Sequence, residues 1–232
     1  MELRVERYYE FIQENLPEGM KIVVNVAMYE RVMEHLLGYE GLFYLIYDDP
    51  DLVKVVFNKW GQVVYNFYQK VISLECVGAI FHADDLGYKT GTMLSPESLR
   101  KLFFPWLKEY VSLAHKQGKT FWYHCCGNVG KVIEELIEGI KIDAFHSFQD
   151  VITPVGDFQK KYGNKIAVLG GVDVDKLARL DKEKLRKYVR TILNECMPRG
   201  RYALGSGNSI SNYIPVENYI TMLEEGLTWR KS

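Results

Sequence analysis

The strongest constraint on the fold is an alternation of short apolar runs with longer amphipathic stretches along the chain. Six runs rich in β-branched or aromatic residues each precede a segment with helical spacing. The predicted strands span residues 21–27, 76–82, 120–125, 142–146, 166–169 and 202–205. Parallel strands need a crossover connection, which is usually a helix. The sequence therefore predicts an α/β fold with a parallel sheet.

Polar and glycine-rich residues gather where the predicted strands end. These segments are Asp84-Asp85, His124-Cys126, His146-Gln149, Gly170-Asp173 and Ser206-Asn208. A (β/α)₈ TIM barrel builds its active site from all of these ends, whereas an open doubly wound sheet uses mainly one crevice. We expect a TIM-barrel type fold in a single domain over residues 1–232. A closed barrel has eight strands, so six units predict an incomplete barrel that lacks its N-terminal units, unless another segment covers the gap.

Helix boundaries follow from capping residues and from breaks in the apolar period. Ser95 and Pro96 predict a helix start that runs to about His115, since serine favours the N-cap and proline the first turn. The other predicted helices span residues 4–15, 29–37, 50–74, 129–138 and 175–196, and two more begin at Pro154 and Pro215.

Composition excludes several classes of protein. The net charge of the 232-residue chain is −1, with lysine and arginine spread along it, so no nucleic-acid surface is indicated. No apolar run approaches the roughly 20 residues of a membrane span, and the start lacks the apolar core of a signal peptide. Four cysteines are too few for a disulfide framework. We expect a cytoplasmic protein.

The segment from Phe121 to Asn128 carries the most informative side chains. Alternate residues of a strand share a face, so His124 and Cys126 are predicted to point one way and Cys125 the other. A neutral imidazole nitrogen and a thiolate are zinc ligands. The alternative is a buried strand with two inert cysteines, since free cysteine is often buried.

An acidic pair follows the second predicted strand. His82 shares a face with Asp84, and Asp85 comes next. One carboxylate could complete a metal site, bind a cationic or amide-bearing substrate, or act as a general acid. We take His82, Asp84 and Asp85 as candidate catalytic residues. Alternatively, Asp85 caps a turn and Asp84 pairs with a lysine such as Lys89.

Other strand ends offer candidate substrate-binding residues, namely Asn128, His146, Asp173, Ser206 and Asn208. Two of them have an alternative role as helix caps. Asp173 precedes a predicted helix and could cap it. Asn128 opens the helix after the cysteines, where free N–H groups could also hold an anion.

These motifs together resemble the uroporphyrinogen decarboxylase superfamily. His124-Cys125-Cys126-Gly127-Asn128 is followed by a helix, Gly139 and Asp143-Ala144. Supporting segments occur in the superfamily's order, namely Asp84-Asp85-Leu86-Gly87, Leu94-Ser95-Pro96-Glu97, Gly170-Gly171-Val172-Asp173 and Gly205-Ser206-Gly207-Asn208. The resemblance implies a (β/α)₈ barrel with one of two chemistries. One is cofactor-free decarboxylation of uroporphyrinogen, and the other is zinc-dependent methyl transfer between a methyl-corrinoid and a thiol such as coenzyme M.

The departures from the decarboxylase pattern favour methyl transfer. The superfamily's N-terminal part, which carries the arginines and the aspartate that hold the decarboxylase substrate, has no counterpart in this sequence. Ala27 or a neighbour stands where decarboxylases have a substrate-facing tyrosine, and Ser206 replaces the histidine of their Gly-His-Gly. The alternatives are decarboxylation and a non-catalytic subunit that binds a corrinoid or a tetrapyrrole.

The methyltransferase resemblance also implies a cofactor and partners. Its His-x-Cys pair corresponds to His124 and Cys126, while its further cysteine would fall near Ser206 and is absent. Because zinc sites normally have at least three protein ligands, a third is expected among His82, Asp84, Asp85 and His146. We expect zinc, a corrinoid as methyl carrier, a small-molecule substrate and a corrinoid protein as partner. Unpaired sheet edges also predict a homodimer or, alternatively, a structure whose N-terminal helix shields the edge.

Overall fold

The structure is a computed structural model that describes residues 5–229. Arg4, the predicted start of the first helix, lies outside the described residues. The α-helices of the described chain are Val5–Asn15 (α1), Tyr29–Arg31 (α2), Tyr39–Asp48 (α3), Pro50–Val71 (α4), Pro96–Leu102 (α5), Phe104–Lys116 (α6), Val155–Tyr162 (α7), Val174–Arg179 (α8), Lys182–Cys196 (α9) and Val216–Thr228 (α10). Two π-helical turns, Val32–Leu36 and Glu135–Ile140, and a 3₁₀ turn, Met197–Arg199, complete the helical segments.

The described strands form one sheet in chain order. They are Ile22–Val24 (β1), Val77–Asp84 (β2), Thr120–Cys125 (β3), Ala144–His146 (β4), Ala167–Leu169 (β5) and Tyr202–Ala203 (β6). The predicted α/β fold class and parallel sheet are confirmed. Most strands are shorter than predicted, because some apolar residues at the ends of the predicted strands lie in loops instead. No helix among residues 5–229 is long and apolar enough to cross a bilayer.

Contacts divide the chain into two compact units, and the predicted single-domain organisation stays a prediction. The first unit comprises the residues up to Leu86 together with Thr92–His124 and Val129–Asp143. The second comprises Gly87–Gly91, Cys125–Asn128 and the residues from Ala144 onward.

The first unit pairs β1 with β2 in parallel, with Ile22 opposite Val77 and Val24 opposite Ile80. Its core is aromatic. Fully buried rings line it, namely Tyr29, Phe57, Tyr68, Phe103, Tyr110, Phe121 and Tyr123. The last five have ring centroids within 6.3 Å of the His82 ring on β2. This core fixes β2 and β3 under the helices and leaves their other face half-buried.

Three predicted helices of the first unit differ from the structure. The helix over residues 50–74 ends at Val71 and is preceded by α3, which the sequence reading missed. The helix from Ser95 breaks at Phe103, although its predicted start is confirmed because Ser95 Oγ accepts from the N–H of Ser98 at 3.0 Å. In place of a regular helix over 129–138 there are turns and then the π-helical turn Glu135–Ile140.

The second unit contains β4, β5 and β6 in parallel, with Ala144 opposite Ala167 and Val168 opposite Tyr202. The predicted helix over 175–196 is two helices, because Leu180 is extended and Asp181 caps a new start at α9. Pro215 immediately precedes α10, as predicted.

Candidate metal centre

The carboxyl end of β3 presents the two predicted metal ligands on one face. Burial alternates along the strand, so that Phe121, Tyr123 and Cys125 are buried while Trp122, His124 and Cys126 are half-buried. This is the period of two that the sequence predicts. The expected separation of Cys125 from His124 and Cys126 is therefore present.

One acidic side chain joins this pair. Asp85 Oδ1 lies 3.9 Å from His124 Nε2. One ligand atom each from Asp85, His124 and Cys126 fall within 4.8 Å of one another. Of the four residues considered as a third ligand, Asp85 is the one that belongs to this group.

The donor set suits a zinc ion. A nitrogen, a sulfur and a carboxylate oxygen are all zinc ligands, and catalytic sites keep three protein ligands with a fourth position open. Metal–ligand distances of about 2.0–2.3 Å put tetrahedral donors roughly 3.3–3.8 Å apart. Asp85 Oδ1 and His124 Nε2, at 3.9 Å, lie close to this spacing.

The sulfur of Cys126 has polar neighbours of its own. Asn208 Nδ2 donates to Cys126 Sγ at 3.1 Å, and Ser147 Oγ lies 3.8 Å from the same atom. Asn208 Oδ1 accepts from the N–H of Ser209 at 2.7 Å, which fixes the amide so that its NH₂ group faces the sulfur. A hydrogen bond to the sulfur favours its charged form. Ser147 was not a candidate from the sequence, although it directly follows His146.

Backbone hydrogen bonds and a close backbone contact fix the segment that carries Cys126. The N–H of Gly87 donates to the Cys126 carbonyl at 3.1 Å, and the N–H of Asn128 donates to the Tyr88 carbonyl at 2.8 Å. Gly127 has φ +81°, and a Cβ there would lie 2.1 Å from the carbonyl carbon and oxygen of Gly87. Only glycine fits such a contact.

The predicted role of Asn128 as a helix cap is not what the structure shows. No regular helix begins beside it, and its Nδ2 donates to the Lys89 carbonyl at 3.3 Å. Asn128 thus helps to hold the loop after β2 against the segment that carries Cys126.

His82 and Asp84 lie in the aromatic core of the first unit. Both side chains are fully buried, and His82 Nε2 is 2.8 Å from Asp84 Oδ2 while His82 Nδ1 is 2.8 Å from the Tyr68 hydroxyl. Asp84 Oδ1 also accepts the N–H groups of Met28 and Glu30, each at 3.0 Å. Their burial and full set of partners favour a structural role over the catalytic one suggested by the sequence, and the predicted pairing of Asp84 with Lys89 is replaced by these contacts.

Glu30 is a residue that the sequence reading missed. Burial, followed by the charges of Asp85, Glu34 and Asp84, raises the pKa of Glu30 to about 7, and Arg31 opposes the shift. Glu30 lies on a predicted helix, and its position in the sequence gives no indication that it belongs to the site. With a pKa of about 7, its carboxyl is about half ionised at pH 7, and it belongs to the same acidic group as Asp85.

His146 and Ser206 lie beside each other in the second unit. His146 Nε2 is 3.0 Å from the Ser206 carbonyl, and burial lowers the pKa of His146, with this hydrogen bond opposing the shift. A Cβ on Gly170 would lie 2.4 Å from that carbonyl and 2.7 Å from the imidazole. Ser206 Oγ donates to the Asn208 carbonyl at 2.5 Å, so Ser206 shapes the loop that presents Asn208.

Asp173 is a cap, which was the alternative considered for it. Its Oδ1 accepts from the N–H groups of Asp175 and Lys176 at the start of α8, at 2.9 and 3.2 Å. Its Oδ2 accepts from the N–H of Asp150 at 2.8 Å. With both oxygens engaged by backbone, the placement does not favour the predicted contact with substrate.

Comparisons with known proteins identify the family of this fold and site. The family described as uroporphyrinogen decarboxylase (URO-D) matches residues 9–227. No curated protein sequence matches the chain.

Two solved structures show the same fold at low identity. A methyltransferase from Methanosarcina mazei aligns with a TM-score of 0.74 and 16% identity, over 93% of this chain and 61% of its own. An endo-β-1,4-xylanase from Gloeophyllum trabeum aligns with a TM-score of 0.51 and 11% identity, over 77% of this chain and 71% of its own. The chain thus spans 61% of the methyltransferase that it matches.

Proposed function

The chain belongs to the uroporphyrinogen decarboxylase family, and we propose that it acts as a zinc-dependent methyltransferase. In this proposal a methyl group passes from a methyl-corrinoid to a thiol or another small acceptor. The observation that carries the proposal is the group of Asp85, His124 and Cys126, whose ligand atoms lie within 4.8 Å of one another. Such a set leaves a fourth position for the acceptor.

The chain's own residues would hold the metal and set its surroundings. Zinc, when bound, keeps an acceptor thiol in its thiolate form at neutral pH. His124 supplies a nitrogen, Cys126 a sulfur and Asp85 an oxygen. Asn208 donates to the sulfur at 3.1 Å, which stabilises the charge on Cys126 and fixes its direction. The aromatic rings of Phe81 and Trp122, 6.1 Å apart, lie beside this face, with Phe81 6.3 Å from the His124 ring.

The charge near Asp85 favours methyl transfer over decarboxylation of uroporphyrinogen. Asp85, Glu34 and Asp84 are close enough to raise the pKa of Glu30, and Arg31 opposes the shift. A substrate with many carboxylates would be repelled by these groups. A metal cation would instead be attracted.

The fold of the methyltransferase from Methanosarcina mazei supports the proposal at the level of architecture. We further propose that the partner is a corrinoid protein and that the reaction takes place in the cytoplasm. Both follow from the proposed chemistry, since the methyl carrier must reach the metal centre and a free thiol persists in a reducing compartment.

The test is an anaerobic assay with methylcobalamin as donor and coenzyme M as acceptor, in zinc-loaded protein. Loss of methylcobalamin absorbance reports the reaction. We expect His124→Ala and Cys126→Ala each to lower the rate at least a hundredfold, whereas His35→Ala, on an exposed histidine, leaves it unchanged. Release of carbon dioxide from uroporphyrinogen by the metal-free protein, without methyl transfer, would overturn the proposal.

A further inference from the structure

A basic groove lies in the first unit, between α6 and the residues at the end of the π-helical turn Glu135–Ile140. Its volume is about 460 Å³, within the range of pockets that hold small molecules. Four basic residues line it, namely Lys108, His115, Lys116 and Lys141, and no aspartate or glutamate among the described residues does so. The whole chain has a net charge of −1, so the basic groove is a local concentration of positive charge.

One wall of the basic groove is a single face of α6. Lys108, Ser112 and Lys116 follow one another at intervals of four residues, so their side chains share that face. Cations in the last turn of a helix stabilise its dipole, which accounts for Lys116 without any ligand. The dipole does not account for Lys108, which lies in the first half of the helix. The positive charge therefore extends further along the wall than the helix dipole explains.

The opposite wall carries a lysine in an unusual backbone conformation. Lys141 has φ +68° and ψ +47°, in the left-handed region that favours glycine. Its backbone N–H donates to the Leu136 carbonyl at the end of the π-helical turn, a contact that glycine would make equally well. What lysine adds at this position is therefore its charged side chain, which lines the basic groove.

The three ammonium groups are not neutralised by the described part of the chain. Lys108, Lys116 and Lys141 make no ion pair or side-chain hydrogen bond with residues 5–229, whereas Lys101 pairs with Glu97 at 2.7 Å. Like charges around a cavity repel one another, and a bound anion offsets that repulsion. The basic groove is therefore suited to an anionic ligand.

The remaining lining residues indicate which kind of anion fits. Asp143 Oδ2 accepts from His115 Nε2 and from the N–H of Phe121, each at 2.7 Å, which fixes the imidazole beside the lysines. The base of the groove is apolar, since it contains the buried residues Val111 and Ile140. Lysine commonly binds phosphate as a point charge, and apolar side chains contact the carbon atoms of a ligand. A phosphate group on a small organic molecule satisfies both features.

We propose that the basic groove binds a small organic phosphate, with the phosphate group among Lys108, Lys116 and Lys141. No aromatic side chain of residues 5–229 lines the groove, so a nucleobase would have no ring to stack on, and a sugar phosphate fits better than a nucleotide. The groove lies near the amino end of β3, which begins at Thr120, whereas His124 lies towards its carboxyl end. The inference therefore does not rest on the proposed methyl transfer.

A titration of the ¹⁵N-labelled chain with ribose 5-phosphate, followed by its amide chemical shifts, tests the proposal. In about 150 mM salt, which screens weak surface attraction, the native chain is expected to bind with a dissociation constant of about 1 mM or lower. Lys108→Gln and Lys116→Gln should each raise the constant about fivefold, because each removes a charged contact to the phosphate. Lys59→Gln, on an exposed lysine of α4 that does not line the groove, is the matched control and should leave the constant unchanged.

Lys141→Gly separates lost binding from misfolding. Glycine adopts the left-handed conformation without strain, so this variant should keep or raise the melting temperature while the dissociation constant rises about fivefold. Inorganic phosphate should bind more weakly than the sugar phosphate, and ribose should not bind. No response of the native chain up to about 10 mM ribose 5-phosphate overturns the proposal, as does equally tight binding of inorganic phosphate. A loss of affinity in Lys59→Gln as large as that in Lys108→Gln also overturns it.

Discussion

At the scale of single residues, the amide of Asn208 sets the hydrogen-bonding environment of the Cys126 sulfur. Asn208 Nδ2 donates to Cys126 Sγ, and the N–H of Ser209 fixes the direction of that amide. The other three cysteines are buried. Alkylation of the native chain should therefore report mainly on Cys126.

Removing this amide should make Cys126 less reactive. Asn208→Ala deletes the hydrogen bond that favours the thiolate, so we expect the rate of alkylation by iodoacetamide at pH 7 to fall about three- to tenfold in metal-free protein. Mass spectrometry of the peptide that contains Cys126 gives the rate. Ser209→Ala keeps the backbone N–H that orients Asn208 and serves as the control. An unchanged rate in Asn208→Ala would show that the amide does not act on the sulfur.

Substitutions of the adjacent Asp84 and Asp85 should have different effects, one on stability and the other on zinc binding. Asp84→Ala leaves the buried N–H groups of Met28 and Glu30 and the imidazole of His82 without their acceptor. We expect its free energy of unfolding to fall by about 3 kcal/mol or more, measured by urea denaturation. Asp85→Ala, on a half-buried side chain, should change stability by less than about 1 kcal/mol and weaken zinc binding instead. A stable Asp84→Ala protein that has lost methyl transfer would restore the catalytic role that the sequence suggested.

The placement of a single side chain could be predicted only where it follows from a periodic pattern in the sequence. The shared face of His124 and Cys126 follows from the period of two in β3. The choice of Asp85 over Asp84 could not be made, because both follow the same strand, and burial in an aromatic core distinguishes them. Asn208 was a candidate for the pocket, yet its contact with Cys126 joins residues 82 positions apart. Glu30 gave no signal, since the neighbouring carboxylates that act on it come from another segment.

At the scale of elements, strands were easier to predict than helix ends. All six strands were located from apolar runs, and each is recognisable because both faces of a parallel strand are covered. Helix breaks at Phe103 and at Leu180 were missed, since the apolar period continues through them. Proline within the first turn of α6 is tolerated there, so it gave no clear sign of a new helix.

The turn after β3 is the element on which the site depends most. Gly127→Ala introduces a Cβ that lies 2.1 Å from the Gly87 carbonyl, at a φ of +81°. Because backbone must move, we expect Cys126 to shift and the apparent affinity for zinc to fall at least tenfold, as measured by competition with a chromophoric chelator.

Gly118→Ala is the matched control for this change. Gly118 also has a positive φ, +66°, but no atom lies within 4 Å of an added Cβ. It should lose only about 1 kcal/mol of stability and keep its zinc affinity. Equal zinc affinity in both variants would mean that the close approach of Gly87 and Gly127 does not position Cys126.

At the scale of the whole molecule, the sequence sufficed for the fold class and the family. The family match over residues 9–227 and the parallel sheet agree with the resemblance drawn from short motifs. Those motifs lie at strand ends, where the chemistry of the fold is concentrated.

The zinc content of the purified chain tests the proposed metal centre without reference to any substrate. After loading with zinc and dialysis, mass spectrometry of the metal is expected to give about one zinc ion per chain, and less than about a tenth of that in His124→Ala or Cys126→Ala. A native chain that retains no zinc, or variants that retain as much as the native chain, would contradict the metal centre on which the proposed function rests.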